Sequence, residues 1–460
     1  MFKSKRDLIF VAILVLVHLL FFFFAVYNSN YYPFSGFNFK LTDPYQYLTE
    51  AKNIVEHGVF YCGDLSQPIN FDFYTLRPPV YPLFLSVFYL LKAPLYVIIF
   101  FQNIISIASI LLVRKTILLF NYKKKYDTLF IGLLLLTPSQ FIYANTIFSE
   151  VIFQFFIVLM FRYMVLFSKF KKKKYLLRYS IALVLAAFTK PVMYLFVVPS
   201  LLYMFYVSYK IKKWYPIILS FVPVLAVLLL MSWNHKRTNT YQYSSIQAIN
   251  LLNYNTRLFM MSKKGSTFAD KFLDSIHNNA DKIQDYSERN SYLNSASQNY
   301  LSHNLFGYGF YHLQGSVFAM LDPGRFDISN FFMLNTKNVK QKGILFHLNN
   351  GGFFSVVKFL IDTYSIPLLL FLGLILFINV FKLLSLVLFI FNKRINLNFK
   401  IIVLGLLLYI ILLAGPVGAS RYMMPLVPII IGVILIDNFF IEKLISKGKG
   451  IFTKNKNYDV

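Results

Sequence analysis

The chain has 460 residues, 57% hydrophobic, 19% aromatic and only 14% charged, a composition that excludes a soluble globular enzyme and a disordered chain. Its 46 Lys and Arg against 19 Asp and Glu give a formal charge of +27, but the basic residues sit in short loops between long apolar runs. The charge is therefore a topology signal and not a nucleic-acid surface. The single cysteine, Cys62, allows no intramolecular disulfide, and the seven histidines show neither HxxH nor HExxH spacing, which argues against a histidine metal site.

In chain order, Lys3, Lys5 and Arg6 precede an apolar run from Leu8 to Tyr27 without a small-residue cleavage site, which reads as a retained signal anchor with a cytoplasmic N-terminus. Further runs long enough to span a bilayer occur at 94–113, 128–145, 147–168, 175–190, 191–209, 214–233, 366–391, 399–415 and 422–441. The predicted fold is thus an all-α polytopic membrane protein with about ten transmembrane helices. The apolar piece 80–91 is too short to span and is expected along the outer interface.

Charge supports this parity. The predicted inner segments carry Lys3, Lys5 and Arg6; Arg114, Lys115 and Lys123 to Lys125; the basic stretch Lys169–Arg178; Lys210, Lys212 and Lys213; Lys393, Arg394 and Lys400; and five C-terminal lysines. These are 25 basic residues against the four acids Asp7, Asp127, Glu442 and Asp459, the positive-inside pattern of a multi-pass plasma-membrane protein with both termini cytoplasmic. Lys171–Lys174 reads as a solvated anchor near anionic lipid.

Three parts follow: an N-terminal membrane module, 1–233, with a first outer loop at 28–93; an extracytoplasmic region, 234–365; and C-terminal membrane helices with a basic tail, 366–460. In the first loop, DPYQYLTEAKNIVEHGVF predicts an amphipathic helix on the membrane: Asp43 as N-cap, Pro44 in the first helical position, and Tyr47, Ala51, Ile54 and Val55 as one apolar stripe. The Asn-, Ser- and Tyr-rich second region lacks a strand pattern and predicts several short helices with irregular links. It is the expected acceptor side.

Six ionisable residues fall at the outer membrane boundary, where hydrocarbon or its edge makes them costly: Asp43, Glu50, Arg77, Glu150, Lys190 and Arg421. Three cations and three carboxylates at one level suit a reaction between an anionic lipid headgroup and a water-side acceptor. Arg and Lys neutralise phosphate, and a carboxylate accepts a hydroxyl or amine proton. Tyr241, Tyr243 and Tyr254 are candidates to stack on sugar or line an acceptor entrance. The Gly307/Gly309 pair has no preceding strand, and no phosphate-cradling GK[ST] loop occurs, which counts against an ATP-driven pump.

In order, DPYQYLTEAKNIVEHGVF after the first span, RPPVYPLFL, a span entered through FSE, then TKP, and finally SRYMMPLVP resemble the C-type membrane glycosyltransferases. The closest likeness is to the branch with bacterial protein-O-mannosyltransferase-like and aminoarabinose-transferase-like enzymes. It covers most of 1–233 and returns at 414–441, with a faint echo in WNHKRTNTYQYSSIQAINLLNYN. The resemblance implies inverting transfer of a sugar from a polyprenyl-phosphate donor to a glycan, lipid or protein acceptor, on the extracytoplasmic face of the bacterial inner membrane. Asp43 matches the family's first-loop catalytic acid, and Arg77, Lys190 and Arg421 are the candidates to hold the donor phosphate. Glu150 and Glu50 are expected to orient the acceptor or a bound divalent cation. Pro44 stands where relatives carry a second acid, a departure that bears on protein-mannosylating specificity and on any metal held by paired carboxylates. The rival readings are a lipid-linked oligosaccharide flippase or other transporter, which predicts midplane charges and repeated halves, and an O-antigen polymerase or ligase.

Overall fold

In hydrocarbon, an apolar run closes its own backbone hydrogen bonds most readily as a helix. The computed structural model describes residues 4–28, 43–120, 122–334 and 344–436, and it is helical with no strand among them. From the N-terminus, α1 (Lys5–Asn28) leads to the short packed pair α2 (Asp43–His57) and α3 (Val80–Leu90), and α4 (Leu95–Ile117) runs back. There follow α5 (Asp127–Leu135), α6 (Ser139–Ala144), α7 (Glu150–Phe170), α8 (Lys173–Ala187), α9 (Val197–Ile211, reached through a 3-10 stretch at Pro191–Phe196) and α10 (Tyr215–Thr238). The second region is short helices: α11 (Ile246–Asn250) and α12 (Arg257–Lys264) joined by a π turn, then α13 (Ser266–Ala280), α14 (Tyr286–Ser302), α15 (Leu305–Leu321), α16 (Arg325–Phe331) and α17 (Ile344–Thr363). The chain closes with α18 (Ile366–Phe391), α19 (Leu397–Ala414) and, after 3-10 turns, α20 (Val427–Ile434).

Seven segments among the described residues are long and apolar enough to cross a membrane: Lys5–Asn28, Leu95–Ile117, Glu150–Phe170, Pro191–Ile211, Tyr215–Thr238, Ile366–Phe391 and Leu397–Val417. The other three expected spans take different forms. Residues 128–145 break into α5 and α6 at Thr137–Pro138, because proline lacks the amide that would continue the ladder. Residues 175–190 give the 15-residue α8. Residues 422–441 begin as 3-10 turns at Ser420–Tyr422 and Met424–Leu426 before α20, and 437–441 lie outside the described residues, as do Lys3 and the C-terminal lysines. The short α3 matches the non-spanning piece expected at 80–91.

Helix α7 is the centre. Its apolar window is 67% buried against 22% for α1 and 28% for α18, whose outward Leu and Phe side chains suit lipid contact. Around it pack α4, α8 and α19, and the turn Met424–Leu426. Polar side chains cross-link this interior: Gln154 and Gln140 exchange amide hydrogen bonds at 2.8 and 2.9 Å, and Gln154 also donates to the Met424 carbonyl. Helix α15, in the second region, packs on α18 and α19 with Phe306, Phe310 and Leu313 exposed. Gly315 permits the approach: a Cβ there would come within 2.3 Å of the Gly415 carbonyl.

At the end of the bundle away from α2, Arg114 donates to Asp127 (2.7 and 2.9 Å) and to Asp7 (2.7 Å), while Lys124 reaches Asp7 at 2.8 Å and Tyr122 donates to Asp127. These buried bonds tie α1, α4 and α5 together. Removing one partner of such a set strands the others. Arg114→Leu is expected to cost about 3–5 kcal/mol, read as a lower unfolding temperature in detergent; an unchanged midpoint would make the cluster energetically idle.

Candidate functional site

Helix α2 places its acids inward. Asp43 and Glu50 lie seven residues apart, two turns along one face, and the buried side of α2 is Pro44, Tyr47, Glu50, Ala51 and Asn53. Of the expected stripe, Tyr47 and Ala51 are buried while Ile54 and Val55 are half-buried. Glu50, at 1% exposure, is no surface charge.

Five of the six residues singled out from the sequence meet directly. Arg77 Nη2 lies 2.5 Å from Asp43 Oδ1, and Arg421 Nη2 lies 2.6 Å from Asp43 Oδ2. Arg421 Nε also donates to Glu150 Oε1, and Lys190 Nζ donates to the same oxygen at 2.7 Å. Four chain segments and the start of α7 thus build one chain of charges, Arg77–Asp43–Arg421–Glu150–Lys190. Glu150 stands in the first turn of α7, where the helix dipole favours an anion. Its side chain is fully buried, and Oε2 has no hydrogen-bond partner. The sixth residue, Glu50, makes no ion pair here; its charged neighbours are Arg77 and Arg237.

Aromatic rings set the cations. The Arg421 guanidinium sits 4.4 Å from the Phe148 ring centre, Arg77 sits 4.8 Å from Tyr47, and Lys190 sits 5.8 Å from Phe153. Gln46 accepts from Arg77 Nε at 2.9 Å, and the Tyr47 hydroxyl pairs with Ser149 at 3.1 Å. Burial pushes the Asp43 carboxyl up, but Arg77 and Arg421 more than offset it and hold it well below the usual carboxylate range. Burial pushes Glu50 well above that range against the pull of Arg77 and Arg237.

Sequence reasoning missed a neighbouring carboxylate. Asp327, on α16, accepts from the Tyr143 hydroxyl at 2.9 Å and from Ser420 Oγ at 2.9 Å, beside Arg421 in the chain. Asp322 accepts from the Ser420 amide at 2.7 Å and so fixes the same turn. Burial raises Asp327 from 3.8 to about 6 despite its two hydroxyl donors. The folded protein therefore holds this proton more tightly than the unfolded chain, so the group's stabilising contribution is full below about pH 4 and fades as pH rises through 6. Compared with Asp327→Asn, the wild type is expected to lose a few degrees of unfolding temperature between pH 4 and 7. A pH-independent difference would contradict the buried, neutral-favouring setting.

The donor set does not fit the divalent cation expected at Glu150 or Glu50. Both Asp43 oxygens and Glu150 Oε1 are taken by side-chain cations, two guanidiniums flank Glu50, and among the described residues no group of three His, Cys, Asp or Glu side chains converges on a metal position. Of the three candidate tyrosines, Tyr241 is exposed and stacks on His235, Tyr254 is exposed, and Tyr243 is buried against Tyr194. Comparison with family models, curated proteins and solved structures finds no match. The fold defines the chain as an all-α membrane protein with a part-buried ion-pair network at one end of its bundle.

Proposed function

We propose that the protein is a membrane glycosyltransferase that moves a sugar, with inversion, from a polyprenyl-phosphate donor to a hydroxyl- or amine-bearing glycan, lipid or protein acceptor at the outer face of the inner membrane, within a ten-span C-type fold. The observation that carries this reading is the meeting of Arg77, Lys190 and Arg421 with only two carboxylates, Asp43 and Glu150. The network has one surplus positive charge, a half-built site for a lipid phosphate.

Before donor binds, Asp43 is a poor base, because two guanidiniums stabilise its charge. A phosphate drawing Arg77 and Arg421 onto its own oxygens frees that carboxylate. Asp43 then takes the proton of the acceptor hydroxyl as its oxygen bonds to the anomeric carbon. The bond from that carbon to the phosphate oxygen breaks, and the electron pair leaves on the lipid phosphate, where the guanidiniums and Lys190 stabilise it. Glu150 Oε2, buried without a donor, is free to accept a hydrogen bond from the acceptor. The test is incubation of the purified protein in sealed proteoliposomes with radiolabelled polyprenyl-phosphate sugars and membrane glycan extract. Label moving to acceptor with release of polyprenyl phosphate supports the reading; label that only crosses the bilayer, unhydrolysed and untransferred, replaces it with a flippase.

A further inference from the structure

Arg77, which holds Asp43, also lines a small cavity. Its volume is about 10 Å³, the room of one water-sized group, and its walls include Glu50, Tyr74, Trp233, Arg237 and Tyr243. Three buried polar atoms on these walls lack any hydrogen-bond partner: Glu50 Oε2, Arg237 Nε and the Tyr243 hydroxyl. They come from three elements, α2, the last turn of α10 and the loop after it.

Their neighbours hold them in place. Arg237 donates to the Phe60 carbonyl at 3.1 Å and to Asn234 Oδ1 at 2.5 Å, and its guanidinium lies 3.6 Å from the Trp233 ring centre. Asn234 in turn donates to the Gln242 and Tyr243 carbonyls, which folds the loop back over the cavity. A buried polar group without a partner is costly, and three in one small space point to a ligand group that satisfies them.

The chemistry selects that group. Arg237 Nε and Tyr243 donate, and Glu50 Oε2 accepts; a hydroxyl has two lone pairs and one proton, which matches this set one for one. An ammonium meets two donors, and an anion meets the Glu50 carboxyl. Burial pushes Glu50 up, and a hydroxyl suits either state of the carboxyl: it donates to the anion, or accepts from the acid while the Tyr243 hydroxyl turns to accept its proton. Glu50 lies two helical turns from Asp43, roughly 10 Å along α2, and Arg77, which pairs with Asp43, also lines the cavity beside Glu50.

We propose that this pocket receives one hydroxyl of the transferred sugar while the lipid phosphate occupies the cation cluster, an inference that rests on the donor reading above. The probe is citronellyl phosphate, bare or carrying mannose, glucose, galactose or arabinose, with affinity measured on the intact protein in nanodiscs. The wild type is expected to bind at least one glycosylated lipid about tenfold more tightly than the bare phosphate. Tyr243→Phe and Glu50→Gln are expected to lose most of that increment while binding bare citronellyl phosphate as before. One single-deoxy analogue of the preferred sugar should bind wild type as weakly as the variants, with no further loss in Tyr243→Phe. Retention of the full increment in both variants, or no glycosylated lipid gaining over the bare phosphate, overturns the pocket assignment and leaves water as its occupant. Failure of bare citronellyl phosphate to bind at all overturns the donor reading itself.

Discussion

Asp43→Asn is expected to lower sugar transfer by about 10²–10⁴-fold without weakening donor binding. The asparagine keeps the size of the side chain and an oxygen for one arginine, but it takes no proton from an acceptor. It also adds to the positive surplus of the network, since Arg77 and Arg421 lose a shared carboxylate. A residue that only positioned the arginines would loosen the donor when neutralised. The two effects separate in initial-rate kinetics: kcat falls while KM for donor stays level or drops. Full transfer by Asp43→Asn would remove Asp43 from the chemistry.

The second large effect belongs to Arg421, the cation that bridges Asp43 and Glu150. Arg421→Gln leaves two one-to-one pairs, Arg77 with Asp43 and Lys190 with Glu150. The fold is therefore expected to survive with a modest loss, about 1–3 kcal/mol, while transfer falls by about 10²–10³-fold because the surplus charge and a leaving-group donor are gone. Arg421→Lys restores the charge but lacks the fork that reaches two carboxylates at once, and most of the loss is expected to remain. Near-wild-type turnover by the lysine variant would reduce Arg421 to a point charge.

Much of this arrangement was legible because hydrocarbon makes charge expensive. Asp43, Arg77, Glu150, Lys190 and Arg421 stood out at the ends of apolar runs, and the same cost that marked them is met by pairing them. The start of α2 was readable from Asp43–Pro44, and the apolar face from Tyr47 and Ala51. That Glu50 shares the inward face follows from its seven-residue spacing from Asp43, a signal present but outweighed by its polar neighbours. Asp327 carried no signal of its own: it stands in a region without clear periodicity, and its partner Tyr143 lies 184 residues away. Arg237 fell just past the predicted end of a span, whereas α10 continues to Thr238 and carries it over Trp233. Lys382, inside α18 and donating to Thr137, was passed over in a run otherwise apolar, although an ionisable residue there is costly on its face. The break between α5 and α6 was marked by Pro138, but hydropathy alone averages across it.

The task proposed for these cations from separate segments is to hold a lipid phosphate, with their carboxylate partners keeping them in place until it arrives. Its most direct measurement is the affinity of the intact protein for bare citronellyl phosphate across five neutralised variants. Arg77→Gln, Lys190→Gln and Arg421→Gln are each expected to weaken binding by about tenfold or more, whereas Asp43→Asn and Glu150→Gln are expected to leave it unchanged or tighten it. Affinities that fall alike for cation and carboxylate variants, or that respond to neither, would contradict it.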